Sequence, residues 1–195
     1  AADYGEHSLG VEVLDGLQWV EQGPLVAHLV LRRCFGTSSL RIDLRLQANR
    51  PWLELICSPH WSQRHELLRL NMPLACPAVR VAADTCGGVI ERPATANTAR
   101  EAARWELPVI SWMASQVAAP GGGLAVLLDG PQGVDWDPGR LGLSLLRGPT
   151  WPDPGADRGW HRQRMALMPI TGSWNAAGVT QAAIAFREPG WWGPQ

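Results

Sequence analysis

Residues Leu40 to Gln47 alternate without a break. Leu40, Ile42, Leu44 and Leu46 fall on one side; Arg41, Asp43, Arg45 and Gln47 fall on the other. A period of two puts successive side chains on opposite faces of an extended chain, so the stretch predicts a half-buried antiparallel strand. Comparable apolar runs recur about every dozen residues, separated by Gly, Pro and Asn. They predict strands at Gly10–Asp15, Leu17–Glu21, Leu25–Phe35, Trp52–Cys57, Leu67–Leu74 and Val79–Ala83. Further strands are predicted at Gly88–Glu91, Arg104–Leu107, Leu124–Leu128, Leu141–Leu146 and Met165–Leu167. Asp15-Gly16 reads as a hairpin turn joining the first two, and Gly121-Gly122-Gly123 as a hairpin or loop tip.

Only two segments favour helix. Thr98–Ala103 suits a single turn, and Ser173–Ala185 offers Ser173 as an N-cap but carries Gly178 and Val179. The fold class expected is therefore all-β: a large antiparallel β-sandwich with few short helices. With 195 residues the chain suffices for one domain, which at that length buries roughly 70% of its unfolded surface. We expect a single β-sandwich domain over residues 1–195. The start, Ala1-Ala2-Asp3 without Met, fits an excised part of a larger multi-domain protein.

Charge excludes some partners. The formal net charge is −1, and all 17 basic residues are Arg, scattered along the sequence with no stripe, so no nucleic-acid partner is expected. No apolar run approaches the roughly 20 residues of a membrane span, so no membrane partner is expected either. Cys34, Cys57, Cys76 and Cys86 lack a Cys-x-x-Cys spacing and read as reduced and mostly buried, in a cytoplasmic protein.

The stretch from Arg140 to Pro169 holds the main candidates. It reads as strand, long ordered loop, strand, with three prolines, Trp151, Trp160, Asp153 and Asp157 between the strands. Loops that rigid and aromatic are frequent binding surfaces. His161 with Asp157 has the look of an acid/base pair, but Arg158, Arg162 and Arg164 nearby favour a structural ion-pair cluster. His60 and His65 are five apart, which on a strand points them to opposite faces and argues against shared metal ligation. Glu91-Arg92-Pro93 reads as a strand end with a local charge pair.

Several blocks resemble the C-terminal β-domain of family 38 glycoside hydrolases, the class II α-mannosidases. They are Gly23-Pro24-Leu25-Val26-Ala27 with Phe35-Gly36-Thr37-Ser38, Trp61-Ser62-Gln63-Arg64-His65-Glu66-Leu67-Leu68, and Gly88-Val89-Ile90-Glu91-Arg92-Pro93 with Asn97-Thr98. The closest is Leu146-Arg147-Gly148-Pro149-Thr150-Trp151-Pro152-Asp153-Pro154 followed by Asp157, Gly159 and His161. His60 stands where an Asp is usual and Gln63 where an acidic residue is usual, so no carboxylate role carries over to either.

The resemblance implies a sandwich of the galactose-mutarotase-like type. It also implies a parent enzyme that hydrolyses α-mannosides with retention and holds zinc in an N-terminal catalytic domain. A retaining glycosidase needs two carboxyl groups about 5–5.5 Å apart. No motif for them, or for the zinc ligands, is found here. This chain is thus expected to carry no catalytic residue, metal ligand or cofactor, and to be inactive alone. Its partners are the catalytic domain and the α-mannoside. Arg147 is the positional match to an arginine that family members direct towards the sugar cleft; its planar fork of donors suits sugar hydroxyls. The competing expectation is that Arg147 braces its own loop through Asp153 or Asp157. Trp151 and Trp160 are candidates for stacking on a sugar. A stand-alone carbohydrate-binding module and a mutarotase-like domain are the alternatives.

Overall fold

The computed structural model describes residues 12–103, 105–118 and 121–188. The chain runs β1 (Glu12–Gln22), β2 (Val26–Phe35), β3 (Ser38–Gln47), β4 (Leu53–Trp61), β5 (Leu68–Pro73), β6 (Ala78–Thr85) and β7 (Gly88–Pro93). After α1 (Ala99–Ala102) come β8 (Leu107–Val109), β9 (Trp112–Val117), β10 (Gly123–Leu128), β11 (Gln132–Asp137) and β12 (Arg140–Leu146). The last elements are β13 (Gly159–Trp160), β14 (Gln163–Ile170) and α2 (Val179–Arg187). A ten-stranded sheet has the order β1-β2-β3-β4-β14-β10-β9-β6-β7, with β13 beside the end of β4. A four-stranded sheet, β5-β12-β11-β8, faces it. The strand pairs are antiparallel, as in β3 with β4 and β12 with β5. The all-β sandwich expected from the alternation is the fold observed.

The middle of the large sheet is apolar on both faces. Val126 and Leu128 enter the core between the sheets with Met113, Val81, Ala83 and Met165. Leu141, Leu143 and Leu145 of β12 meet them there from the small sheet. The intervening Ala125 and Leu127 point the other way, with Trp112, Ala114, Ala82, Ala166 and Met168, onto α2. Strands buried on both sides read as continuous hydrophobic runs. The alanines on this second face let the helix sit close. α2 lays Val179, Ala183 and Phe186 into it, at the i, i+4, i+7 spacing of one helical stripe.

Arg164 of β14 fastens the end of that helix. Its guanidinium lies 4.2 Å over the Phe186 ring, donates to the Phe186 carbonyl, and donates to Glu54 Oε1 at 2.6 Å. A cation at a helix C-terminus is also favoured by the helix dipole. Upstream of α2, the Trp174 indole N–H donates to Glu91 Oε1 at 2.7 Å, and its ring lies 4.9 Å from Trp112. Glu91 therefore serves α2, and its ion pair at 3.4 Å is with Arg80 across the β6–β7 hairpin.

Some expectations are corrected. Asp15-Gly16 does not turn the chain, because β2 pairs with both halves of β1, from Glu12↔Cys34 to Gln22↔Ala27, and three bulges absorb the surplus residues. Gly10 and Val11 lie outside the described residues. The helix predicted at Ser173–Ala185 begins six residues later and ends at Arg187. Gly178 at φ +65° interrupts it, and Ser173 instead caps a preceding turn through the Ala176 N–H at 3.1 Å. The predicted Arg104–Leu107 strand starts at Leu107, after an irregular Trp105 that is 83% exposed; Arg104 is outside the described residues. β9, β11 and β13 had no predicted counterpart.

The short helix at Thr98 does form. Thr98 Oγ1 accepts from the Glu101 N–H at 3.2 Å, and Glu101 Oε2 accepts from the Thr98 N–H at 3.1 Å, a complete capping box. The four cysteines form no disulfide, but only Cys57 is buried; Cys76 is exposed in the connection from β5 to β6, and Cys86 is exposed at the tip of the β6–β7 hairpin, which offers no core to enter. Burial pushes the Cys57 thiol up to about 11, with the charge of Asp43 adding to the effect.

The two-sided sheet predicts that α2 is integral to stability. Phe186→Ala should cost about 3–5 kcal/mol in chemical denaturation. A loss below about 1 kcal/mol would show that the helix is an appendage.

Candidate functional site

The connection between β12 and β14 rises from one end of the sandwich. Beneath it is a small apolar cluster of Phe35, Trp61 and Leu146, with Leu40 and Leu68 against it. Phe35 and Trp61 meet at 5.9 Å between ring centroids, tilted by 55°. The β2–β3 turn closes one flank. There Gln63 donates from Nε2 to the Phe35 carbonyl at 3.2 Å, and the Ser62 N–H donates to Ser38 Oγ at 2.9 Å.

Gly148 forms the neck of the loop. It has φ +56°, and a Cβ there would lie 2.6 Å from the Gln63 carbonyl oxygen and 2.9 Å from Trp61 Nε1. Only glycine fits both the left-handed backbone and the close approach. The His65 N–H donates to the Gly148 carbonyl at 2.8 Å, and His65 Nε2 is hydrogen-bonded to Thr150 Oγ1 at 3.1 Å.

Asp157 closes the loop on itself. Its Oδ2 accepts from the Arg147 N–H at 2.9 Å and from the Gly148 N–H at 3.1 Å. A carboxylate shared by two backbone donors makes strong, charge-assisted bonds. Its backbone, at φ +61°, adopts a conformation that Asp tolerates better than most side chains. Asp153 Oδ1 accepts from the Gly155 N–H at 2.8 Å, and the Trp151–Pro152 peptide is cis.

These bonds decide between readings of the sequence. Asp157 does brace the Arg147 position, but through the backbone, so the guanidinium is left over. Arg147 is exposed, and its side chain has no hydrogen bond or ion pair among the described residues. The His161 ring bonds the Asp157 carbonyl at 2.8 Å, not its carboxylate. The two therefore form neither an acid/base pair nor part of an ion-pair cluster with Arg164, which is paired with Glu54 and Asp129. Trp151 is 84% exposed near the loop tip. Trp160, on β13 opposite His60, is 74% exposed, with its ring 4.8 Å from the His60 ring. One connection thus carries Arg147, Trp151 and Trp160, all open to solvent; among the described residues no bond or ring contact links them to one another. His60 and His65 serve separate partners. Among the described residues no group of three or more His, Cys, Asp and Glu side chains is placed to hold a metal ion.

A charged cluster lies elsewhere, on the outer face of β2 and β3. Burial opposes the charge of Asp43, but hydrogen bonds from Arg41 at 2.7 and 2.9 Å and from His28 at 2.7 Å outweigh it and hold the carboxyl below its ordinary range. This cluster ties neighbouring strands together and explains why the polar side of β3 is buried at Asp43.

The chain is thus a β-sandwich of a ten-stranded and a four-stranded sheet with a braced loop at one end. The family model described as the glycosyl hydrolases family 38 C-terminal domain matches residues 1–155, and the chain belongs to that family. It is 34% identical over 152 residues to "Alpha-mannosidase 2C1" of Homo sapiens, covering 78% of this chain and 14% of that protein. To "Alpha-mannosidase G" of Dictyostelium discoideum it is 31% identical over 151 residues, covering 77% of this chain and again 14% of the relative. The chain thus spans about one seventh of the length of these relatives. The crystal structure of an alpha-mannosidase from Enterococcus faecalis V583 superposes with a TM-score of 0.73 over 91% of this chain and 24% of that one. At 14% identity that match concerns the fold. It shows that β-sandwich architecture recurs beyond residue 155.

The pair of hydrogen bonds that Asp157 accepts predicts a specific weakness. Asp157→Ala should speed amide hydrogen exchange at Arg147 and Gly148 and cost about 2–3 kcal/mol. Asp157→Asn, which keeps an acceptor oxygen and tolerates the backbone, should cost about 1 kcal/mol or less. Equal exchange in all three proteins would mean that the carboxylate does not organise the loop.

Proposed function

We propose that residues 1–195 form one non-catalytic β-domain of a larger, retaining, zinc-dependent α-mannosidase. The domain braces an N-terminal catalytic domain and presents Arg147, with Trp151 and Trp160, to the wall of the mannoside cleft. Family membership and the names of the relatives support the enzyme class. The observation that carries the cleft reading is the Arg147 guanidinium, exposed and without a hydrogen bond or ion pair among the described residues, above a neck whose backbone is fixed on both sides. An arginine fork held in place but unused within its own domain is suited to hydroxyl groups brought by a partner domain's substrate.

Bracing has a separate support. Four strands cannot cover ten. On the face of the large sheet turned towards the small one, Trp19, Leu29 and Leu44 lie side by side across β1–β3, Leu46 follows, and Trp19 and Leu46 are each more than half exposed. Leu17, Val20 and Leu25 extend this apolar edge. Exposed patches of this kind mark interaction sites, and the catalytic domain is the occupant that this reading supplies. Zinc belongs to that domain in this proposal: the described residues here do not fit the ion, and they hold or move no proton in the hydrolysis. No helix among the described residues is long and apolar enough to cross a membrane. A cytoplasmic location is part of the same proposal.

The exposure of Trp151 favours a second reading, a carbohydrate-binding module that acts alone. A mutarotase has less support, because the His161 ring is spent on a backbone carbonyl.

Arg147→Ala in the full-length enzyme should lower kcat/KM for an aryl α-mannoside about tenfold or more, the loss of one charged donor to substrate. Unchanged kinetics would remove Arg147 from the cleft. Saturable binding of mannosides by the 195-residue chain alone would favour the second reading.

A further inference from the structure

The arginines that are scattered in sequence converge in space. Arg45 of β3, Arg50 of the β3–β4 turn, Arg162 before β14 and Arg164 within it line one groove of about 240 Å³ between the large sheet and the end of α2. Glu54 is the one acidic side chain in the lining. It is buried and already shared, with Arg164 at 2.6 Å and Arg45 at 3.6 Å. Asp129 reaches Arg164 at 3.4 Å from outside the groove. Two guanidinium groups remain. Arg50 lies 5.4 Å from the centroid of the Trp52 ring and has no acidic partner among the described residues. Arg162 is exposed and has no ion pair among the described residues. The floor is apolar, from Trp52, Ala185 and Phe186.

We infer that this groove is a binding site for a phosphate dianion, free or as a monoester, held by Arg50 and Arg162 against the paired Arg45 and Arg164. Charge and shape select that ligand. Two unpaired cations in a concave site repel one another until an anion joins them, and a dianion satisfies both forks while a single carboxylate saturates one. The low-dielectric floor strengthens the attraction relative to open solvent. The volume takes one such group with a small substituent, not the track of a polyanion. The site does not rest on the α-mannosidase reading, and its test does not use hydrolysis.

The full-length protein is titrated calorimetrically with inorganic phosphate, and separately with a hexose 6-phosphate, in a low-chloride buffer of fixed ionic strength. Saturable binding is expected for both. Tighter binding of the ester assigns the site to phosphorylated sugars, and equal binding assigns it to inorganic phosphate. R50Q and R162Q should each raise Kd about tenfold, the loss of one charge-assisted contact. R162K, which keeps the charge but not the fork, should fall between wild type and R162Q. R100Q, on α1, should bind as wild type does. The inference is overturned by an absence of saturable binding, by acetate matching phosphate, or by a folded R50Q/R162Q double variant that binds normally.

Discussion

The burial of β9, β10 and β14 on both faces is the constraint on which the molecule depends. One set of alternate residues, Met113, Val126 and Met165, closes the sandwich; the other, Trp112, Ala125 and Ala166, closes against α2. Neither face can be given up without exposing the other strand partners to water, and each buried aliphatic side chain contributes roughly 1.5–3 kcal/mol. α2 is therefore a third layer, and Arg164 is the fastening that joins sheet, helix terminus and Glu54 in one place.

That rigid middle sets where the functional features fall. β12 and β14 belong to different sheets, so the chain between them must cross the end of the sandwich. The crossing is anchored at Gly148, Asp157 and His161, and its Arg147 and Trp151 side chains are left facing solvent. β3, the turn after it, and β14 with the residue just before it supply the arginines of the groove at the end of α2. A scaffold that is stable for reasons unrelated to ligand can hold unpaired charge at its margins, which is where binding groups are expected.

The strands were legible because alternation is a local signal. Leu40 to Gln47 and Leu141 to Leu145 read correctly from period alone, and Thr98 with Glu101 wrote its helix cap into the sequence. β11 was hidden because its Gly133 and two aspartates look like loop, yet Asp135 is held by Arg140 of the adjacent β12 and Arg69 of β5 beyond it. Asp15-Gly16 misled because a bulge and a hairpin use the same residues, and only the length of the partner strand separates them. Arg147 was marked by resemblance, Trp151 and Trp160 by the stacking surface of an indole ring, and the three emerge exposed on one connection. The two hydrogen bonds that Asp157 accepts from the Arg147 and Gly148 N–H groups form within an irregular loop that has no periodic signal, and the meeting of Arg45 and Arg50 with Arg162 and Arg164 depends on contacts across more than a hundred residues, so neither left a local trace.

The measurement that bears most directly on the proposed role compares hydrolysis of an aryl α-mannoside by the full-length polypeptide, with and without a zinc chelator, and by the 195-residue chain. An accessory domain without nucleophile or metal ligands predicts an active polypeptide silenced by the chelator, and no hydrolysis by the chain alone. A silent full-length polypeptide, or hydrolysis by the isolated chain, would contradict that account.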